Sequence, residues 1–317
     1  HDIGHGPFSH TLEHSLIKNV EHEELSLFIM KRLNKRFSGA LELAIQMFDG
    51  TYQRHFFHQL ISSQLDIDRL DYLNRDSFFT GVSEGTIGAD RIIKLLDVEN
   101  DEIVVEEKGI YSIESFLNAR RLMYWQVYLH KTGVAADIML QDIILRAKKL
   151  SLTENIHAST PVFTEFLVKD YRLEDFKNEA VMDGFMQIDD SDIWTSVKLW
   201  THHQDPILSY LSRSLLNRNL FKIVMANTPL EEERQEISAR LMAEHNLDEE
   251  DISYLVKTGS ISNAAYMASN QKIKILKKDK SIVDIEDTAD LPNIKAISKI
   301  VTKYYLCWAK NVSLNKL

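Results

Sequence analysis

The first ten residues, His1–His10, have the sequence HDIGHGPFSH, and this stretch decides how the rest of the chain is interpreted. An adjacent His-Asp pair is followed by two further histidines, so two possible metal ligands lie beside two possible proton carriers. Imidazole and carboxylate groups together bind divalent ions that activate water. The glycines and the proline favour one backbone conformation around the histidines. The stretch therefore indicates a candidate metal centre.

A second segment, about sixty residues later, has the sequence LDIDRLDYLNRD at residues 65–76. On a helix its polar residues at three- and four-residue spacing share one face. These residues are Asp68, Arg69, Tyr72 and Asp76. A face with a metal ligand, a cation, a phenol and a carboxylate suits a substrate with phosphates at one end and a sugar at the other. The alternative is a solvated face on which Asp71 and Arg75 pair; it does not explain Tyr72 between two carboxylates.

A third group, Arg120, Tyr124 and Tyr128, repeats the four-residue spacing. Arg120 follows Phe116 in an otherwise apolar stripe, and a guanidinium there requires an anionic partner. Aromatic residues at helical spacing are more often core residues than binding residues, so both interpretations stay open for Tyr124. The group indicates a second surface for an anionic substrate.

The composition is that of an ordinary globular protein, with 317 residues, 44% hydrophobic and 26% charged. A net charge of -10 argues against a nonspecific nucleic-acid surface, although a local basic pocket could still bind a small anion. The single cysteine, Cys307, excludes an internal disulfide and suits a reducing compartment, so we expect a cytoplasmic protein. No apolar run is long enough for a membrane span.

Helical spacing of apolar residues dominates up to about residue 227, and short alternating segments follow. We therefore predict a mainly α protein, with a helical core at residues 1–227 and a small mixed α+β lobe at residues 228–317. Four finer predictions are helices at His55–Phe78, Ser112–Lys131 and Ile294–Trp308, and a hairpin at Ile103–Ile110 with Lys108-Gly109 at its turn.

The first two segments together resemble the HD-superfamily metal-dependent phosphohydrolases. The match is closest to the branch of deoxynucleoside triphosphate triphosphohydrolases that includes the SAM-and-HD-domain enzyme. The family pattern is an upstream His, a His-Asp pair and a distant Asp on one ion; three of these map onto His1, Asp2 and Asp68. The chain starts at the motif without Met, so we expect the upstream ligand in a missing N-terminal segment. The resemblance implies an HD helical core and one divalent ion, which could be Mn, Mg, Fe, Ni or Zn.

The resemblance also implies catalytic roles near the first motif. The position of His5 lies in the active site of the family, and His22 pairs with an acid to deliver a proton. Glu13 stands where several relatives carry Asp, which keeps the carboxylate. His10 fits either a catalytic role or a structural one at a helix start. These four residues are the expected catalytic group.

The resemblance also implies substrate contacts for residues of the second and third segments. The family places phosphates against Arg69 and Arg120, the phosphate–sugar junction against Tyr72 and the sugar 3′-hydroxyl against Asp76. Two further contacts are Tyr128, which stacks on the sugar, and Tyr124, which replaces a family His.

The expected reaction is hydrolysis of a deoxynucleoside triphosphate to the deoxynucleoside and triphosphate, by a homo-oligomer that is a dimer or larger. Guanosine-tetraphosphate hydrolases carry Glu-Asp shortly after the His-Asp pair, where this chain has Gly4-His5-Gly6. Cyclic-dinucleotide phosphodiesterases of the HD-GYP type carry Lys at the position of His5. Both remain alternatives. A catalytically silent nucleotide sensor is a third, against which the presence of His5, Asp68 and Arg120 argues.

Overall fold

The structure is a computed structural model that describes residues 1–17, 19–154, 156–263, 272–288, 300–310 and 312. The described helices are α1 (His10–Leu16), α2 (His22–Arg36), α3 (Glu42–Phe48), α4 (Phe56–Ile61), α5 (Ile67–Thr80), α6 (Ala89–Ile93), α7 (Ile110–Met123), α8 (Lys131–Leu150), α9 (Pro161–Val168), α10 (Glu179–Phe185), α11 (Asp190–Trp200), α12 (Pro206–Leu216), α13 (Glu231–His245), α14 (Glu249–Ser253) and α15 (Ile285–Thr288). The described strands are β1 (Leu96–Glu99), β2 (Glu102–Glu106), β3 (Lys222–Ala226), β4 (Val256–Asn263), β5 (Lys274–Leu276), β6 (Ile282–Asp284) and β7 (Val301–Trp308). The predicted class, mainly α with mixed α and β structure after residue 228, is confirmed.

The chain folds into two compact units, and each is built from segments that are distant in sequence. Unit 1 comprises His1–Ser38, Lys131–Ser260 and Tyr304–Leu317, and unit 2 comprises Gly39–His130 and Ile261–Lys303. These units do not coincide with residues 1–227 and 228–317. A separate domain at residues 228–317 stays a prediction.

Unit 1 is organised around the long helix α8. Met139, Ile143 and Ala147 are spaced four apart and fully buried, so one face of α8 forms the centre of the core. Helices α1 and α12 pack against α8, and β3, β7 and β4 form a three-stranded sheet in that order. The motif-bearing helix α1 is thus fixed to the core.

Unit 2 combines helices α5 and α7 with a four-stranded sheet in the order β1-β2-β5-β6. Its central pairing, β2 with β5, is parallel and matches Val105 with Ile275. Leu73 on α5 and Phe116 on α7 are fully buried in this core. The polar residues of the second sequence segment lie on the opposite face of α5.

The hairpin predicted at Ile103–Ile110 is wrong, because Ile103–Glu106 belongs to β2, which pairs with the preceding strand β1. Strands β1 and β2 pair across Asn100-Asp101, where both residues have positive φ values of 54° and 62°. Two consecutive left-handed residues define the tight turn that suits right-twisted strands, and Asn and Asp tolerate that conformation. Lys108 and Gly109 instead lie in the short 3₁₀ turn Glu107–Gly109.

Two predicted helices are interrupted. The segment His55–Phe78 forms α4 and α5 rather than one helix, because the Asp66 side chain accepts from the Arg69 backbone N–H and starts α5. The helix predicted at Ser112–Lys131 ends as α7 at Met123, and a π-helical turn, Tyr124–Tyr128, follows.

The closing helix predicted at Ile294–Trp308 is wrong over residues 301–308, which form strand β7. Residues 294–299 lie outside the described residues. The segment VTKYYLCW is rich in β-branched and aromatic residues, and its register against β3 runs from Lys222–Trp308 to Ala226–Tyr304. Pairing with a strand 80 residues earlier therefore overrides the helical spacing of its apolar residues.

None of the helices in the described ranges combines the length and the apolar composition required to cross a bilayer.

A buried carboxylate in unit 1 gives a pH-dependent prediction. Asp142 on α8 contacts Lys257 Nζ at 2.8 Å, and burial raises the Asp142 pKa to about 6 although Lys257 opposes the rise. A carboxyl whose pKa rises on folding costs stability increasingly as pH climbs from its unfolded pKa to its folded pKa.

We therefore expect the free energy of unfolding of Asp142→Asn, minus that of wild type, to increase progressively as the pH rises from about 4 to about 6. The expected gain is on the order of 1–3 kcal/mol, at about 1.4 kcal/mol per pKa unit. Urea denaturation of both proteins at several pH values measures it. The prediction would be contradicted if the free energies of unfolding of the two proteins changed with pH in parallel.

Candidate active site

Three of the four expected catalytic residues in unit 1 share one hydrogen-bonded arrangement. Glu13 on α1 accepts from His10 Nδ1 at 2.9 Å and from His22 Nδ1 at 2.8 Å, one with each carboxylate oxygen. The His22 backbone N–H also donates to Glu13, at 2.8 Å. Glu13 therefore fixes both rings with their Nδ1 atoms towards the carboxylate and leaves their Nε2 atoms for other partners.

The fourth residue, His5, stacks on His22 with ring centroids 3.9 Å apart, and His10 meets both rings edge-on. His5 Nδ1 lies 3.2 Å from the Asp2 carbonyl oxygen, so it donates there. Burial and the neighbouring His22 charge lower the His5 pKa, which favours a neutral ring. The expected residues His5, His10, Glu13 and His22 are thus brought together.

The carboxylate at the centre of this group stays ionised. Burial alone would raise the Glu13 pKa, but the hydrogen bonds from His10 and His22 outweigh it and hold the pKa at about 2. An ionised carboxylate can accept a hydrogen bond from each imidazole and hold both rings in place. This arrangement suits general acid catalysis.

The space around Gly4 explains why the motif has glycine directly before His5. A Cβ at this position would lie 2.2 Å from the His22 carbonyl oxygen and 2.3 Å from the Ser26 backbone nitrogen. The Gly4 N–H donates to Ser26 Oγ at 2.9 Å. The motif backbone therefore lies directly on the first turn of α2, which places His5 beside His22.

The predicted metal ligands are divided between the two units. In unit 1, His1 Nε2 and Asp2 Oδ1 are 3.0 Å apart, and both side chains are accessible. Two donors on one ion at about 2.1 Å each are separated by about 3.0–3.4 Å, so this pair has the spacing of neighbouring ligands. Asp68 lies in the first turn of α5 in unit 2.

In unit 2 the two predicted phosphate-binding arginines are held by one short loop, Ser63–Asp66. The Asp66 side chain is 1% exposed and forms an ion pair with Arg69. Gln64 Oε1 accepts from Arg120 Nη1 at 2.9 Å, and both side chains are buried. The Nε atoms of Arg69 and Arg120 are buried without a hydrogen-bond partner among the described residues.

The tyrosines expected to contact the sugar form one cluster. Tyr128 lies edge-on to Tyr72 and to Tyr124, and its hydroxyl donates to Asp76 Oδ2 at 2.7 Å. Burial raises the pKa of Tyr72 and of Tyr128, and the hydrogen bond to Asp76 contributes for Tyr128. Both phenols are therefore neutral hydroxyl groups. The π-helical turn carries Tyr124 and Tyr128, and such turns often occur at functional sites.

Sequence reasoning missed Gln64 and Asp66. Asp66 directly before the apolar Ile67 is a helix-start signal, which could have revealed the break and the cap. The Gln64–Arg120 contact spans 56 residues and has no local signal. It gives Arg120 a buried, uncharged structural partner in addition to the anionic partner expected from the sequence.

A family model described as the HD associated region matches residues 87–160. A crystal structure of a phosphohydrolase from Bacteroides thetaiotaomicron has a TM-score of 0.92 and 48% identity, covering 98% of this chain and 77% of that chain. The uncharacterized protein YwfO of Bacillus subtilis is 35% identical over 234 residues, 72% of this chain and 52% of its own length. A deoxynucleoside triphosphate triphosphohydrolase SAMHD1 homolog from Dictyostelium discoideum is 27% identical over 164 residues, 46% of this chain and 32% of its own length.

The chain thus spans about half the length of the Bacillus protein and about a third of the Dictyostelium protein. The Bacteroides phosphohydrolase is covered far more completely, at higher identity. The similarity includes the HD associated region and agrees with the HD motif at the start of the chain. The chain therefore belongs to the HD-superfamily phosphohydrolases and resembles the branch that includes SAMHD1.

Proposed function

We propose that this protein hydrolyses nucleoside triphosphates, preferably deoxynucleoside triphosphates, to the nucleoside and inorganic triphosphate. The observation that carries the proposal is the pair of buried guanidinium Nε atoms of Arg69 and Arg120, which have no hydrogen-bond partner within the described ranges and lie in the unit that also holds the tyrosine cluster. A buried N–H group without a partner is costly, and a phosphate oxygen is the strongest acceptor that could satisfy it.

HD phosphohydrolases generally bind divalent metal. We propose His1, Asp2 and Asp68 as the ligands, completed by an upstream His or by solvent. The 3.0 Å spacing of His1 and Asp2 and the mixed imidazole–carboxylate donor set fit such an ion. When bound, the ion polarises phosphoryl oxygens and lowers the pKa of a bound water molecule.

The chain's own residues are expected to deliver a proton to the leaving oxygen. Water adds to the α-phosphorus and gives up one proton to solvent, the bond to the nucleoside 5′-oxygen breaks, and that oxygen takes up one proton. His22 or His5 is expected to donate it. The Glu13 contact supports His22, because the carboxylate holds that ring by Nδ1 and leaves Nε2 to transfer a proton, whereas the lowered pKa of His5 favours its neutral form.

The sugar contacts are proposed for Tyr72, Tyr128 and Asp76, and Tyr124 is proposed as a further substrate contact beside them. One Asp76 oxygen accepts from Tyr128, which leaves the other available to a 3′-hydroxyl. The Tyr128 ring is thereby held in one orientation, and a fixed ring against the sugar can exclude a 2′-hydroxyl by contact.

The proposal is tested with a panel of deoxynucleoside and ribonucleoside triphosphates, guanosine tetraphosphate and cyclic dinucleotides. Products are separated by ion-exchange chromatography, with a divalent ion supplied. We expect triphosphate and nucleoside in equal amounts from deoxynucleotides. Cleavage of guanosine tetraphosphate or of cyclic dinucleotides alone would overturn the substrate assignment and leave the HD assignment standing. Binding without cleavage would indicate the nucleotide sensor.

Replacing Tyr128 with Ala should narrow the preference for dATP over ATP more than it lowers the rate with either. The measurement is the ratio of kcat/KM values for the two nucleotides, which does not depend on the active fraction of the preparation. Tyr128→Phe is the matched control, because it keeps the ring and loses only the contact to Asp76. Equal kcat/KM values for dATP and ATP with wild-type protein would remove the sugar-reading role.

Two further expectations accompany this proposal. A homo-oligomer, a dimer or larger, stays a prediction that light scattering of the purified protein checks. A cytoplasmic location also stays a prediction.

A further inference from the structure

The turn that connects His5 to α1 has an unusual backbone conformation. Phe8 and Ser9 both have positive φ values, 55° and 45°, and the ψ value of Ser9 is -126°. These Ser9 angles are near those of the first central residue of a type II′ turn, a position that glycine dominates because other residues are strained there. Strained residues of this kind persist only where the surrounding structure holds them, and they occur most often at functional sites.

This turn determines where α1 begins. The Ser9 N–H donates to the Gly6 carbonyl oxygen at 3.1 Å, which reverses the chain after the first part of the motif. His10, the first residue of α1, directly follows the strained pair, and its ring centroid lies 4.9 Å from that of His5. The conformation of Phe8 and Ser9 therefore sets the position of the His10 ring.

Helix α11 supplies the contacts that hold the turn. Asp190 and Trp194 are four residues apart on one face of this helix. Asp190 Oδ1 accepts from the Phe8 N–H at 2.8 Å, and the Trp194 ring meets the Phe8 ring edge-on, with the centroids 5.5 Å apart. Three further residues of α11 are buried in the core of unit 1, namely Ile193, Val197 and Trp200. The helix is thus a fixed support for the turn.

We propose that Asp190 and Trp194 are positioning residues, which hold the strained turn and, through it, the His10 ring against Glu13. Asp190 acts as the acceptor for the Phe8 N–H, so the amide oxygen of an asparagine would serve equally well. Both residues act through the backbone of the turn. The consequence for catalysis rests on the proposed function, whereas the consequence for the His10 ring does not.

The position of the His10 ring is measured by NMR on the full chain labelled with ¹⁵N-histidine, about two pH units above the ordinary imidazole pKa. The contact with Glu13 places the His10 proton on Nδ1, and the chemical shifts of the two ring nitrogens show which of them carries it. The His10 signals are identified by their loss in His10→Gln. We expect Asp190→Ala and Trp194→Ala to move the proton population towards Nε2, the form that predominates for imidazole in water. Asp190→Asn should keep it on Nδ1.

Glu179→Ala is the matched control, because it removes an exposed carboxylate from the first turn of α10 in the same unit. It should leave the His10 signals unchanged. The proposal is overturned if Asp190→Ala leaves the His10 proton on Nδ1, if Asp190→Asn moves it as far as Asp190→Ala does, or if Glu179→Ala moves it equally.

Ser9 provides a second test, which does not require a change in α11. Ser9→Gly removes the strain, because glycine adopts positive φ values readily, whereas Ser9→Ala keeps it. The Tm of Ser9→Gly should therefore be higher than that of Ser9→Ala. A lower Tm of Ser9→Gly would show that the turn is not strained and would overturn the proposal.

If the proposed function holds, Asp190→Ala and Trp194→Ala should lower kcat for triphosphate release about 10-fold, because a displaced catalytic group is less effective. KM should not change, since the proposed phosphate and sugar contacts belong to unit 2. Asp190→Asn should keep the wild-type kcat. A chain that releases no triphosphate would remove this consequence but would leave the NMR and Tm results interpretable, so the two proposals fail separately.

Discussion

Asp68→Ala is expected to lower the rate of triphosphate release by about three decades or more. Removing one of the three proposed protein ligands should weaken the binding of the ion proposed to polarise the phosphoryl group, and such stabilisation contributes several kcal/mol to the transition state. The measurement is kcat at saturating divalent ion, together with the bound metal content. Both should fall.

Asp71→Ala on the same helix is the matched control. Asp71 is exposed and pairs with Arg75 at 2.9 Å, and surface pairs of this kind contribute little. Its activity and metal content should equal those of wild type. Full activity of Asp68→Ala without bound metal would remove the proposed metal site.

Arg120→Ala is expected to lower kcat/KM by about one to two decades, because a charge-assisted contact to phosphate contributes roughly 1.5–3 kcal/mol. The Gln64 contact means that stability falls as well, since the Gln64 oxygen loses its buried donor. A lower activity of Arg120→Ala would therefore not show by itself whether phosphate binding or the folded fraction has decreased.

The inhibition constant of inorganic triphosphate separates them, because it does not depend on the active fraction. It should rise tenfold or more in Arg120→Ala. Arg121→Ala, at the next position of α7, is the control and should leave the constant unchanged. An unchanged inhibition constant with a lower melting temperature would assign Arg120 a purely structural role.

Local spacing predicted the parts of the molecule that depend on one helix. Asp68, Tyr72 and Asp76 recur every four residues, so their shared face follows from helical geometry alone. The cap of α11 is equally local, because the Asp189 side chain accepts from the backbone N–H groups of Ser191 and Asp192, two and three residues later.

Contacts between distant segments were not predictable in this way. Strand β7 forms because β3 offers it a partner, and β2 pairs with β5 about 170 residues later. Nothing within either segment encodes its partner. The same holds for Gln64 and Arg120, whose contact depends on the packing of unit 2 rather than on sequence spacing.

The interleaving of the two units constrains how the protein can be made and divided. The ribosome must synthesise β5 before the sheet of unit 2 can close, and β7 before the sheet of unit 1 can. Such late partners slow folding, because the chain must close long loops before these contacts form. A nascent chain ending near residue 260 would expose unpaired strand edges in both units, which makes it a target for chaperones and proteases. A stop codon placed there would leave both sheets incomplete at once, so the motif-bearing part could not be expressed as a stable minimal enzyme.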